Sequence, residues 1–221
     1  MATGSVNYII VNRGKADRLL RCAQRIGAER GTVFFGEGTL PSRWQELLGI
    51  NQTQKEVLLI AVPDDLQDSF YEMLKAEFHL HRRYSGIAFS VPYRQYRAGE
   101  DAEAQGIRAL DAPHICLVTI VEKGLGEACM RLAREAGAQG GTIVHAHGAG
   151  VPQHFVYPIA IEPRKDMVMT LVRREIAPRV RERIFTGMRL ERKGAGIIFA
   201  LPVTRTLGLY EDSRAGKAGA P

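Results

Sequence analysis

The sequence predicts an α+β protein built as two tandem βαββαβ units whose antiparallel sheets pack face to face on other sheets. Three observations predict it. The chain matches itself at an offset of 110 residues, each copy runs strand, helix, strand, strand, helix, strand, and the strands are apolar at nearly every position. A two-layer unit has helices on one sheet face only, so its other face in water would alternate polar and apolar residues. Strands such as "VLLIAV" and "IIFALPV" do not alternate, and that demands another sheet against the second face.

The self-match needs no gap. Ile10 and Val11 fall on Ile120 and Val121, Gly14 on Gly124, Gly27 and Ala28 on Gly137 and Ala138, and Gly31 and Thr32 on Gly141 and Thr142. Lys55 then meets Lys165, Leu80 meets Leu190, Gly86 and Ile87 meet Gly196 and Ile197, Phe89 meets Phe199, and Pro92 meets Pro202. Roughly a fifth of the aligned positions are identical, which is the mark of a duplicated unit.

Within each copy the elements follow in order. The apolar runs "NYIIV" and "HICLVTIV" read as first strands. A helix follows in which Ala16, Leu19, Leu20, Ala23 and Ile26 recur at helical spacing, and a Gly-Ala turn leads to "GTVFF" or "GTIVHA". After a loop come "EVLLIAV" and "DMVMTLV", then helices carrying Leu66, Phe70, Met73 and Leu74, or Ile176, Val180 and Ile184. Asp64 and Asp65 favour a helix start, and Pro178 is tolerable only in a first turn. "GIAFSVP" and "GIIFALPV" close the units. This order is the split βαβ arrangement of ferredoxin-like folds. The predicted units span 6–96 and 112–210, separated by a polar, small-residue linker at 97–111 and followed by a tail at 211–221 with the composition of a disordered end.

Composition narrows the function. At 221 residues and 45% hydrophobic, the chain can build two cores of its own. It has no run of roughly 20 apolar residues and its start lacks a secretory pattern, so a cytoplasmic location is expected. Cys22, Cys116 and Cys129 sit in apolar runs without C-x-x-C spacing and read as small core residues. The net charge of +6 reads mainly as solvated helix surface. RNA-recognition domains share the element order but need aromatic residues on an open sheet face, whereas these strands are aliphatic, so no nucleic-acid partner is expected. No nucleophile elbow, phosphate-binding loop or paired acid and base stands out, and the chain is not expected to be an enzyme.

The stretches "GAQGGTIVHAHGAG", "RKDMVMTLV" and "KGAGIIFALPV" of the second unit resemble the PII signal-transduction family of nitrogen regulation. The likeness covers both units, from about Tyr8 to Pro92 and from His114 to Leu209. It implies a ferredoxin-like fold, a homo-oligomer with a trimer favoured, and an adenine nucleotide (ATP, ADP or AMP) bound in clefts between subunits. It also implies inter-strand loops that dock on a partner protein, a membrane transporter or a regulated enzyme. Thr142, Gly148 and Gly150 stand where the family has its adenine-side threonine and the glycines leading into the docking loop. Gly194, Ala195 and Gly196, preceded by Arg192 and Lys193, stand at the turn that closes over phosphates. Glycines there let backbone N–H groups approach phosphate oxygens, and the two cations add charge. The family's lysine after that turn is replaced by Ile197, and Ile87 occupies the same place in the first unit. The first unit has Leu40 and Tyr84 in place of Gly150 and Gly194.

Two further features carry chemistry. The first loop holds the only tryptophan, Trp44, beside Leu47 and Leu48, an apolar cluster suited to a partner interface or to folding back on its own sheet. His145 and His147 alternate on a predicted strand and share a face, with His154 following in the loop, a pattern that can hold a metal. A metal is the less favoured reading, and it underlies the alternative function, a trimeric ferredoxin-like metal-binding or metal-tolerance protein.

Overall fold

The structure, a computed structural model, describes residues 3–28, 31–39, 53–82, 84–94, 112–147 and 164–209. The linker at 97–111 and the tail at 211–221 lie outside them. Among the described residues the chain forms nine strands and four α-helices. The first half runs β1 (Thr3–Asn12), α1 (Ala16–Arg25), β2 (Gly31–Gly38), β3 (Thr53–Pro63), α2 (Gln67–Phe78) and β4 (Gly86–Arg94). The second runs β5 (His114–Glu122), α3 (Gly126–Glu135), β6 (Thr142–His147), β7 (Arg164–Arg173), α4 (Ala177–Gly187) and β8 (Gly196–Val203), followed by the short β9 (Arg205–Leu207). A single 3-10 turn, Asp64–Leu66, precedes α2, and Pro178 lies in the first turn of α4, where its missing N–H costs nothing.

Where separate sheets packed on one another are predicted, the strands form one continuous antiparallel sheet in the order β8-β5-β7-β6-β2-β3-β1-β4-β9. The halves join at like edges, with Gly36, Glu37 and Gly38 of β2 paired to Val144, Ile143 and Thr142 of β6. The two end strands of the sheet, β8 and β9, are separated in the chain by Thr204 alone, so the sheet has to curl until its ends meet. Thr204 N–H donates to Ser90 O at that closure, and Ala88, Phe89 and Ser90 of β4 pair with β9.

Curling explains the doubly apolar strands. Alternate residues point outward to the helices and inward to the opposite half. In the first half Ile9, Val11, Leu58, Ile60 and Val62 pack under α1 and α2 with Leu19, Phe70 and Leu74. In the second, Leu117, Ile143, Val168 and Val172 pack under α3 and α4 with Met130, Val180 and Ile184. The inward residues of both halves form a third cluster of Ile10, Val57, Phe89, Cys116, Val118, Val144, Met169 and Val203. Tyr8 and Phe89 stack within it at 4.8 Å. The sheet-on-sheet burial that the strands require is thus met within one chain. All three cysteines are buried and free, and burial alone pushes the Cys116 thiol up to about 12, which leaves it an inert core residue.

Candidate functional site

Helices α1 and α3 start without a capping side chain of their own, because Lys15 and Leu125 stand at the N-cap positions. A strand supplies the cap instead. In the first half Glu56 on β3 accepts through Oε2 from the N–H groups of Lys15 (3.0 Å) and Ala16 (2.8 Å). In the second, Asp166 on β7, at the same place in the repeat, accepts through Oδ2 from Gly124 (2.8 Å) and Gly126 (3.1 Å). Those of Lys15, Ala16 and Gly126 are N–H groups a helix start leaves without partners, and Gly124 lies in the turn just before it. Burial raises the Glu56 pKa, but the backbone bonds from Gly14, Ala16 and Lys15, helped by the charge of Arg13, outweigh it and hold the group below its ordinary value.

The two caps differ at their second oxygen. Asp166 Oδ1 lies 2.8 Å from Nδ1 of His145, whose Nε2 lies 3.6 Å from Oε1 of Glu37 on β2 of the other half. The buried Asp166 therefore links helix start, imidazole and seam. The first half has Phe35 in place of His145, exposed, with the Arg13 guanidinium 5.8 Å from its ring centre. Pairing between β2 and β6 stops at Gly36 and Val144, one step short of Phe35 and His145, so both side chains lie where the seam opens.

The turn before β8 is the second cluster. Arg192, Lys193 and Gly194 are exposed, and Ala195 N–H donates to Arg192 O at 3.1 Å. Gly194 and Gly196 adopt φ of +84° and +149°. A Cβ on Gly196 would lie 2.4 Å from Ile120 O, and one on its counterpart Gly86 would lie 2.6 Å from Ile10 O. Both copies therefore need glycine there for the close approach of two backbones. A Cβ on Gly194 would meet nothing within 4 Å, and its counterpart Tyr84 takes φ of +64° with a full side chain. Gly194 is free of any packing demand.

The residues singled out by the resemblance are not all brought together. Thr142 is buried at the start of β6, with its methyl group 3.3 Å from where a Cβ on Gly36 would lie. The turn at 192–196 opens β8, the opposite edge of the same half, three strand spacings or roughly 14 Å away. Gly148, Gly150, His154, Trp44, Leu47 and Leu48 lie outside the described residues, and His147 ends β6. Thr39, at the start of the first loop, is fastened to the second half. Its N–H donates to Gly141 O at 3.1 Å, and its Oγ1 accepts from Gly141 N at 2.9 Å. Among the described residues no three His, Cys, Asp or Glu side chains are grouped so as to hold a metal.

Sequence reasoning missed Glu37, Glu56 and Asp166. A signal was present for two of them, since "KEVLL" and "KDMVM" each place an acidic residue within an apolar strand at the same point of the repeat. No family model and no curated protein matches the chain. Among solved structures it is similar to one described as an anthrone oxidase-like protein, at 8% identity and a TM-score of 0.24 over 94% of this chain and 93% of that one. A likeness that slight fixes neither fold nor function. Among the described residues no helix is long and apolar enough to cross a membrane.

Proposed function

We propose that the chain is a cytoplasmic, non-enzymatic regulator made of two PII-like, ferredoxin-like units, which senses an adenine nucleotide and controls a partner protein through its inter-strand loops. The observation that carries this reading is the contrast between Gly194 and Gly196. Gly196 is demanded by backbone approach, whereas Gly194 faces open space beside Arg192 and Lys193, which is what phosphate binding by a backbone N–H requires. Thr142 lies too far across the half-sheet to share a cleft with that turn in the same half. A nucleotide reaching both would bridge two copies of the chain, in keeping with a homo-oligomer, for which a trimer is favoured. The exposed Ile197 and Phe199, which follow the turn on an end strand, support association of copies there. Thr142 pairs with Gly38, next to the anchored Thr39, and this gives a route from the ligand to the first loop and its Trp44 cluster.

Titration calorimetry with ATP, ADP and AMP tests the reading. At least one nucleotide should bind the wild type, and Gly194→Tyr, which installs the first half's residue, should abolish binding. That variant should fold, because Tyr84 already occupies the same backbone conformation and the left-handed region costs about 1–2 kcal/mol. Absence of heat and of thermal stabilisation with all three nucleotides would overturn it.

A further inference from the structure

We infer that Glu37 and His145 form a binding site for a divalent transition-metal ion of the zinc class, with Asp166 behind the imidazole and the two halves of the chain joined across the ion. The inference does not depend on nucleotide binding. Asp166 is fixed by two backbone N–H groups through Oδ2 and offers only Oδ1 to the imidazole, at 2.8 Å. When the imidazole donates from Nδ1 to that carboxylate and is neutral, its Nε2 lone pair is available to an ion, which is the orientation that a carboxylate imposes on a metal-binding histidine. Nε2 then faces Glu37 Oε1 at 3.6 Å, too long for a hydrogen bond. Two bonds of about 2.0–2.1 Å meeting at a tetrahedral ion put nitrogen and oxygen about 3.4 Å apart, so the pair needs to close by only about 0.2 Å.

The position suits a ligand that arrives from solvent. His145 is half-exposed, Glu37 is nearer to buried, and the β2–β6 pairing has ended one step before, so the remaining coordination positions open to water. Imidazole with carboxylate and water is a donor set for zinc, cobalt or nickel rather than for calcium, which takes oxygen alone. The first half has no equivalent, because Phe35 stands in place of His145. One ion per chain is expected.

Cobalt(II) titrated into the chelator-treated, full-length protein, followed by its visible absorption and then displaced by zinc, tests the site. Binding of one equivalent is expected. His145→Ala should abolish it, and Glu37→Gln, which breaks no other hydrogen bond among the described residues, should weaken it at least about tenfold. Asp166→Asn should weaken it about 10–100-fold, the usual effect of losing a carboxylate behind a metal-bound histidine. Because that variant also touches the α3 cap, Glu37→Gln decides the matter. Absence of cobalt absorption at one equivalent, or wild-type affinity in Glu37→Gln, overturns the inference, the second outcome assigning any bound metal to His145 with the histidines that follow it.

Discussion

The two halves of the chain are built alike at positions where both backbones need the same geometry, and they differ at others. Gly86 and Gly196 meet the same backbone oxygen in each copy, and Glu56 and Asp166 cap the same helix start. By contrast Tyr84 stands where the second half has Gly194, Phe35 stands where it has His145, and a buried polar chain in the first half has no counterpart in the second. The lesson is a rule for duplicated proteins. Agreement between copies marks geometry that any copy needs, and disagreement at an accessible position with no packing demand marks the place where one copy has a separate task.

The strongest way to break that rule is at the glycines. Gly196→Ala places a Cβ within overlap distance of Ile120 O at a backbone conformation disfavoured for alanine, and should cost roughly 3 kcal/mol. For a chain of this size that lowers the melting temperature by roughly 10 °C. Gly86→Ala should cost about the same, and Gly194→Ala no more than about 1–2 kcal/mol. Equal losses at 194 and 196 in calorimetric melts would mean that both glycines serve the fold, and the contrast behind the proposed ligand site would disappear.

A smaller effect is expected at the polar chain of the first half. Tyr71 Oη and Ser90 Oγ are 2.7 Å apart, Ser90 Oγ donates to Asn7 Oδ1 at 2.6 Å, and the Arg205 guanidinium lies 4.0 Å from the centre of the Tyr71 ring while pairing with Asp68. The second half has Arg181, Ala200 and Leu117 at the matching positions. The chain lies beneath α2, at the point where β9 of the second half fastens onto β4, so it belongs to the closure of the sheet. Ser90→Ala installs the second half's residue and leaves two buried polar groups without this partner, at a cost of about 2 kcal/mol. The reciprocal Ala200→Ser, at an exposed position, should stay within about 0.5 kcal/mol. Urea unfolding of the two variants measures the asymmetry.

Self-match, short continuous apolar runs and the helix period of 3.6 made the element order legible, because each leaves its mark within ten residues. The closure was not legible. Which edge meets which depends on pairings such as Gly36 with Val144 and Ser90 with Arg205, separated by more than 100 residues, and nothing local in β2 or β9 announces a partner. The site was half legible for the same reason. His145 is visible as a histidine on a strand, but Asp166 reaches it from the neighbouring strand and Glu37 from the other half. The glycine turn could be read from composition, yet the different weights of Gly194 and Gly196 emerge only when the distance to Ile120 O is known.

The smallest effect concerns the two caps, which agree in placement and differ in surroundings. Glu56 is held below its ordinary value in the folded state, so its contribution to stability is complete above the unfolded value of about 4.3 and is lost as pH falls through the lower folded value. Glu56→Gln keeps the shape and an acceptor oxygen but removes the charge facing the start of α1, and should cost about 1 kcal/mol at neutral pH. Wild type and variant should then converge as the medium is acidified past that range, because the wild-type carboxyl becomes neutral as well. Urea unfolding at a series of pH values reads the gap directly. A gap that persisted in acid would mean that Glu56 acts through packing rather than charge. The agreement between Glu56 and Asp166 would then be one of position only, and the electrostatic part of the shared cap would have to be sought at Asp166, where a histidine is already its partner.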